Sequence, residues 1–370
     1  MYHKRRQLVQ KSLRDKNISG LFVTNPKNIF YLSGFIGISP SERESFLLIT
    51  QHTCFLFAPA MYEKKAKQCM DQSLESPLQI VIDEERHGLF RLIKTYGKDL
   101  DTIMVESHNM TLVEHEKLQS VMPSKIISQP FFIESFRLKK DAQEIACIQK
   151  ACEITDQSFE ALVEFLKSTD YTQLTEQDVA EQLRKFGKQY GADAWGFEPI
   201  VACGPGSAEP HYVTGTQLLQ KNQPLLLDFG FSFHGYTADL SRTIFLGHPT
   251  EEHKKIYSLV KECQQLCIDS WRDGMTGKDL HTISLNFFQK VGVEKHYLHS
   301  LGHGVGLDVH EQPGIGLHGQ HVLLENMVFT IEPGLYFANN FGVRIEDIVL
   351  VKNNKLVVLS GGSRKELIVI

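Results

Sequence analysis

The sequence predicts two domains: an α/β domain over the first third, then a larger one in which pairs of helices alternate with runs of strands. Three observations predict it. The 370 residues exceed one ordinary domain. Up to about residue 137, short apolar runs alternate with amphipathic stretches, the pattern of a sheet interleaved with helices. Beyond that point two helix pairs are each followed by strands, an arrangement consistent with an internal duplication, although no repeat is visible in the residues themselves.

In the first domain, 21–24 reads as a strand, 45–50 and 53–58 as a hairpin around Gln51-His52, and 78–82 and 102–105 as further strands. Helical spacing covers 3–16, 60–72, 86–96 and 111–120. This domain holds no dense cluster of metal-binding or nucleophilic residues. The texture changes at Arg137-Leu138-Lys139-Lys140, which sets the expected domains at 1–137 and 138–370. Asp141 with Glu144 forms a carboxylate variant of the capping box. Ile145, Ile148, Cys152, Phe159, Leu162, Val163 and Leu166 follow at helical spacing. A second helix spans 175–189, and strands follow at 199–203, 225–231 and 236–246. Helices at 251–272 and 276–290 precede strands at 327–331, 343–351 and 355–359, the last two joined by the tight-turn pair Asn353-Asn354.

Composition excludes several classes. Hydrophobic residues at 42% and charged residues at 22% describe a globular chain with a core, not a disordered or collagen-like one. The net charge of −5 gives no broad basic surface for nucleic acid. No apolar run is long enough to span a membrane, and the basic stretch 1–15 lacks the apolar segment of a secretory signal. Seven cysteines, an odd number and scattered, fit a reducing cytoplasm with buried thiols. Cys263 and Cys267 share a helix face, but a zinc site needs further paired ligands, so they read as core thiols. Gly204-Pro205-Gly206 lacks the Lys-Ser/Thr ending of a phosphate loop.

Histidine and carboxylate placement is more pointed. Of 16 histidines, six fall between His296 and His321, and histidine is the usual metal ligand and acid–base group near neutral pH. Asp228 stands in the apolar run Leu225 to Phe229, and Asp239 in Tyr236-Thr237-Ala238-Asp239-Leu240. An acid on such a strand is costly to bury unless it is paired or holds a metal. A hairpin turning near His234-Gly235 can bring these two carboxylates together, and a cation is then expected between them. His303 is flanked by glycines that permit close backbone approach. Glu332 and Glu346 each stand in a β-rich run. Singly each is an ordinary turn, loop or surface residue. Together, two Asp, one His and two Glu on apolar β surfaces suit a carboxylate-rich centre for divalent manganese, iron, cobalt or zinc. Four anionic ligands can neutralise two dications, a recurring hydrolytic device.

Five motifs carry a family resemblance: Asp228-Phe229-Gly230, Gly235 to Thr243, Gly302 to Glu311, Ile331-Glu332-Pro333-Gly334 and Val343-Arg344-Ile345-Glu346-Asp347. In this order they resemble the signatures of the pita-bread metallopeptidases. The two-domain layout, with Asn25 to Phe35 near the start, is similar to the Xaa-Pro branch, the aminopeptidases P and prolidases. The resemblance implies a creatinase-like mixed α/β N-terminal domain and a pseudo-duplicated α+β pita-bread catalytic domain.

Carried over by position, the resemblance implies Asp228, Asp239, His303, Glu332 and Glu346 as metal ligands. It implies His211 and His310 as catalytic histidines contacting the carbonyl and its oxyanion, with Glu332 also moving the proton to the leaving nitrogen. His299, Tyr336 and Arg344 match substrate-binding positions, while His234, His296, His318 and His321 receive no role. The expected cofactor is a pair of divalent cations, manganese first, with cobalt, iron or zinc as alternatives. The expected protein is a cytoplasmic homodimer acting on proline-containing peptides, without nucleic-acid or membrane partners. The expected activity is that of an Xaa-Pro aminopeptidase, with Xaa-Pro dipeptidase as the alternative. A metal-free creatinase-type enzyme or a non-catalytic binding protein of the same fold is expected to lose ligands, and none is missing here.

Overall fold

The computed structural model describes residues 1–37, 43–70, 76–84, 88–122, 124–362 and 365–370. The chain divides into two compact units, Met1–Arg137 and Leu138–Ile370.

In the first unit six strands form one mixed sheet: β1 (Gly20–Val23), β2 (Phe46–Thr50), β3 (Cys54–Pro59), β4 (Leu78–Asp83), β5 (Thr102–Val105) and β6 (Lys125–Ser128), in the order β4-β3-β2-β1-β5-β6. The two central antiparallel pairs are β1–β2 and β2–β3; the outer pairings are parallel. All four residues of β1 are buried, so helices cover both faces, as a continuous apolar run requires. The helices are α1 (Tyr2–Asp15), α2 (Pro26–Ser33), α3 (Glu63–Gln68), α4 (Leu89–Gly97), α5 (Leu112–Val121) and the single turn α6 (Glu134–Arg137). Phe22, Phe46, Leu48 and Phe57 of the sheet pack with Leu89 and Ile93 of α4 and Leu118 of α5. The expected helices 60–72 and 86–96 run into residues 71–72 and 86–87, which lie outside the described residues; α3 and α4 are the described parts.

The second unit opens with α7 (Ala142–Ser168), whose Asp141–Glu144 capping box is formed on both sides, and α8 (Glu176–Tyr190). The strands β7 (Ala194–Trp195), β8 (Ile200–Cys203), β9 (Gln223–Phe229), β10 (Phe231–Phe233), β11 (Tyr236–Thr237) and β12 (Leu240–Leu246) follow. Next come α9 (Glu251–Ser270) and α10 (Gly277–Val291), then β13 (Gly302–Gly304), β14 (Glu311–Ile315), β15 (Val328–Ile331), β16 (Gly334–Phe337), β17 (Phe341–Arg344), β18 (Asp347–Lys352) and β19 (Lys355–Val358). Thus each half carries two helices followed by an antiparallel sheet, β12-β9-β8 in the first and β14-β13-β15-β18-β19 in the second. Each half also has its own core. Phe159, Leu162, Leu183, Leu227 and Ile244 centre one, and Val260, Leu280, Phe329, Val343 and Val349 the other.

Asn353 and Asn354 both take positive φ, 51° and 58°, as a two-residue turn between β18 and β19 requires. Three expected strands are interrupted. The run 225–231 breaks at Gly230, 236–246 at Ala238-Asp239, and 343–351 at Ile345-Glu346. β6, β7, β13, β14 and β16 and helices α2 and α6 are not among the expected elements. Among the described residues no helix is long and apolar enough to cross a membrane. None of the seven cysteines is in a disulfide.

Candidate metal centre

Two of the carboxylates sit in these interruptions and two at strand ends. Asp228 is the penultimate residue of β9, and Asp239 occupies the gap between β11 and β12, which pairs antiparallel with β9. Glu332 directly follows β15, and Glu346 directly precedes β18. A broken strand turns these side chains out of the regular alternation and into a common cleft. His303 enters from β13. A Cβ on Gly302 would meet the Thr330 carbonyl at 2.1 Å, and one on Gly304 the Gln312 carbonyl at 2.2 Å, so only glycine lets β13 sit this close to its neighbours.

Nine of the ten residues singled out by the sequence line one cleft of about 910 Å³: Asp228, Asp239, His303, Glu332, Glu346, His211, His299, His310 and Arg344. Tyr336 is the exception. It is 2% exposed and does not reach the cleft. Its hydroxyl accepts from Arg344 at 2.7 Å and bonds His299 Nε2 at 2.8 Å, and so clamps two residues that do face the cleft. His318, given no role, lines the cleft, as do His281 and Tyr297.

The donor set fits a cation. One ligand atom each from Asp239, His303 and Glu346 lie mutually within 4.8 Å. His303 Nε2 is 3.7 Å from Asp239 and 3.2 Å from Glu332. Nδ1 of His303 donates to the Gly304 carbonyl at 3.2 Å, which fixes the tautomer that presents Nε2 as a ligand. Asp228 Oδ1, Asp239 Oδ1 and Glu346 Oε1 are buried and find no hydrogen-bond partner in the protein. Buried carboxylate oxygens left unpaired in a group of four acids call for positive charge.

The electrostatics agree. Burial, then repulsion from Glu346, Asp228 and Glu332, pushes Asp239 well above the usual carboxylate range. Burial and repulsion from Glu332 and Asp228 push Glu346 up likewise. Burial alone would also raise Glu332, but the His303 hydrogen bond and charge outweigh it and hold Glu332 down to about 2. Desolvation opposes protonation of His303, and the Glu332 carboxylate overcomes it, so His303 is raised. Desolvation lowers His299, and desolvation together with the neighbouring His303 lowers His310, which keeps both neutral near pH 7.

A second layer of hydrogen bonds orients these groups. Ser241 donates to Glu346 at 2.7 Å and accepts from Arg344 Nε at 2.7 Å. Arg344 also donates to Asp228. Thr330 donates to Glu332 at 3.1 Å and accepts from the His303 amide at 3.0 Å. Arg242 and Asp347 form a buried ion pair at 2.8 Å behind Glu346. The loop bearing His211 is held by buried Glu176, which accepts from the Cys203 and Gly215 amides and from Tyr212. Neutral His299 donates from Nδ1 to the Ser300 carbonyl at 2.7 Å and accepts at Nε2 from Tyr336, so both ring nitrogens are committed within the protein.

The chain resembles known proteins over nearly its whole length. The profile of metallopeptidase family M24 matches residues 146–353, and that of the creatinase/prolidase N-terminal domain matches residues 5–139. The Xaa-Pro dipeptidase of Pyrococcus furiosus is 32% identical over 93% of this chain and 94% of its own length. Among solved structures, an Xaa-Pro dipeptidase from Bacillus anthracis superposes with a TM-score of 0.91 at 26% identity, covering 100% of both chains. The X-Pro aminopeptidase from Thermotoga maritima gives 0.88 at 28% identity, covering 99% of each.

Proposed function

The chain belongs to metallopeptidase family M24, a hydrolase with the pita-bread fold and of the Xaa-Pro peptidase group, and we propose that within this group it is an Xaa-Pro dipeptidase. Its substrates are then dipeptides with proline second, in place of the longer peptides expected from the sequence. The observation that carries the reading is the converging set of buried, unpaired carboxylate oxygens around His303, in a chain that aligns over nearly its whole length with a Pyrococcus enzyme named for that activity.

Asp228, Asp239, His303, Glu332 and Glu346 would hold two divalent cations, manganese first. When bound, such ions polarise the scissile carbonyl and bring the pKa of a water into the neutral range. The protein's own groups do the rest. Glu332 accepts a proton from the attacking water at its carboxylate and delivers it to the leaving proline nitrogen. His310, neutral and with its ring centre 4.1 Å from that of His303, donates to the substrate carbonyl oxygen, and His211 donates from the opposite loop. His299, Tyr336 and Arg344 form a braced chain that fixes Asp228.

Seven cysteines and no disulfide support a cytoplasmic setting, and the proposed assembly is a homodimer, which sedimentation tests. A second reading, Xaa-Pro aminopeptidase, draws support from the cleft, whose volume of about 910 Å³ leaves room beyond a dipeptide. The deciding measurement is kcat/KM for an Xaa-Pro dipeptide against Xaa-Pro-Xaa tri- and pentapeptides. Preference for the dipeptide upholds the proposal, and faster turnover of the longer peptides replaces it with the second reading.

A further inference from the structure

Two of the proposed ligands are preceded by an isoleucine, and one side chain holds the carbonyls of both. Ile331 precedes Glu332, and Ile345 precedes Glu346. Gln264, on α9, directs Nε2 at the Ile331 carbonyl at 3.0 Å and at the Ile345 carbonyl at 3.2 Å. The same nitrogen lies 3.1 Å from Oδ2 of Asp347, the residue after Glu346. Its two hydrogens therefore serve three acceptors, each one residue from a ligand. Gln264 is 1% exposed, and an amide buried this fully is retained only where its hydrogen bonds are made. Ile331 ends β15, while Ile345 lies in the gap between β17 and β18. The sheet ladder is interrupted at that gap, and the amide spans it.

We infer that Gln264 is a positioning residue of the metal centre: through the Ile331 and Ile345 carbonyls it fixes where Glu332 and Glu346 stand relative to one another. The inference rests on the proposed ligand set. Outer hydrogen bonds of this kind orient ligands that would otherwise swing independently, and their loss weakens metal binding even when the ligands themselves remain. The alternative is that Gln264 only packs α9 against the sheet, as its neighbours in the core do.

The test uses the full chain stripped of metal by chelation, with Mn²⁺ titrated in by calorimetry and the melting midpoint of the stripped protein measured in parallel. Gln264→Met keeps the volume and removes the amide. Gln264→Asn keeps a donor amide one methylene back. Val260→Ala, also on α9 and 0% exposed in the same core, loosens the helix without touching the amide. Gln264→Met should weaken Mn²⁺ binding about 10- to 100-fold, the range for outer-sphere partners of metal ligands. Gln264→Asn should fall between it and the parent. Val260→Ala should lower the melting midpoint and leave Mn²⁺ affinity unchanged. If Gln264→Met does not fold, Gln264→Asn against Val260→Ala decides by the same criterion. A Gln264 variant that binds Mn²⁺ as the parent does, or a Val260→Ala that loses as much affinity, overturns the inference alone. A parent that binds no Mn²⁺, Co²⁺ or Zn²⁺ overturns the ligand set beneath it as well.

Discussion

His303 Nε2 lies 3.2 Å from Glu332 Oε1, while Nδ1 of the same ring is tied to the Gly304 carbonyl. A proton or a metal must occupy the space between the nitrogen and the carboxylate, since two lone pairs cannot face each other at that distance without cost. The first prediction follows. Chelation should abolish peptidase activity and Mn²⁺ should restore it. Ala in place of Asp228, Asp239, His303, Glu332 or Glu346 should each remove most of the rate. Added Mn²⁺ should also raise the melting midpoint of stripped protein, by an amount equivalent to about 2.7 kcal/mol at a hundredfold excess over Kd. Full activity in a rigorously stripped sample sinks the metal assignment.

The second prediction concerns protons. In the metal-free protein His303, Asp239 and Glu346 are all raised above their ordinary values, so each tends to hold a proton that a cation must displace. Falling pH favours the protonated forms, so affinity for Mn²⁺ should fall as pH is lowered from about 8 to about 6. Calorimetry in two buffers of different ionisation enthalpy counts the protons released, and the expected count exceeds one. Affinity independent of pH across that range rules the prediction out.

How far the sequence alone reaches is clear from particular residues. The capping box at Asp141 and Glu144 and the Asn353-Asn354 turn are local devices, and local chemistry is sufficient to place them. The break at Ala238-Asp239 escapes because apolar alternation through Tyr236, Ala238 and Leu240 continues across it, and that at Ile345-Glu346 because the apolar run resumes at Ile348; only the partner strands determine where pairing stops. β13 escapes because Gly302-His303-Gly304 has no strand-forming side chains, and its pairing is set by close backbone approach. Helix α2 had a readable start, with Asn25 capping it and Pro26 at its first position, and Gly34 at its end. At the site, residue type singles out the proposed ligands, but burial separates Tyr336 from the cleft and admits His318 to it, and burial is a property of the assembled sheets.

The third prediction separates ligands from catalytic groups. His310→Ala and His211→Ala should lower kcat on the order of 10²–10³, the cost of losing one oxyanion donor. Metal content, measured by elemental analysis, should stay at the parent level. Loss of metal from either variant would reassign that histidine to the ligand set.

The fourth concerns Tyr336, whose hydroxyl bonds both His299 and Arg344. Tyr336→Phe leaves a buried guanidinium N–H and an imidazole nitrogen without their partner, which should cost about 1–3 kcal/mol of stability. Because the ring never reaches the cleft, KM should change little while kcat falls as Arg344 and Asp228 lose their brace. A rise in KM with kcat intact would restore Tyr336 to direct substrate contact.

The fifth asks what reads the far end of the substrate. A dipeptidase needs a cationic partner for the proline carboxylate, and an aminopeptidase must leave that position open to further chain. Among the described residues of the cleft wall, Arg344 is 3% exposed and spends its fork on Asp228, Tyr336 and Ser241. His299 has both nitrogens bound within the protein, and His281 accepts the Leu301 amide. His303 belongs to the proposed ligand set, and His211 and His310 are proposed for the scissile carbonyl. His318, exposed on the wall beside Gly319, is the basic side chain left for the carboxylate. A hydrogen bond to a charged group contributes about 1.5–3 kcal/mol, so His318→Ala should raise KM for an Xaa-Pro dipeptide about 10- to 100-fold. KM for Xaa-Pro-amide, which lacks the carboxylate, should not move, and neither should that for tripeptides. Equal effects on the acid and the amide would show that His318 does not read the carboxylate. If the parent also turns over tripeptides faster than dipeptides, the open cleft belongs to an aminopeptidase.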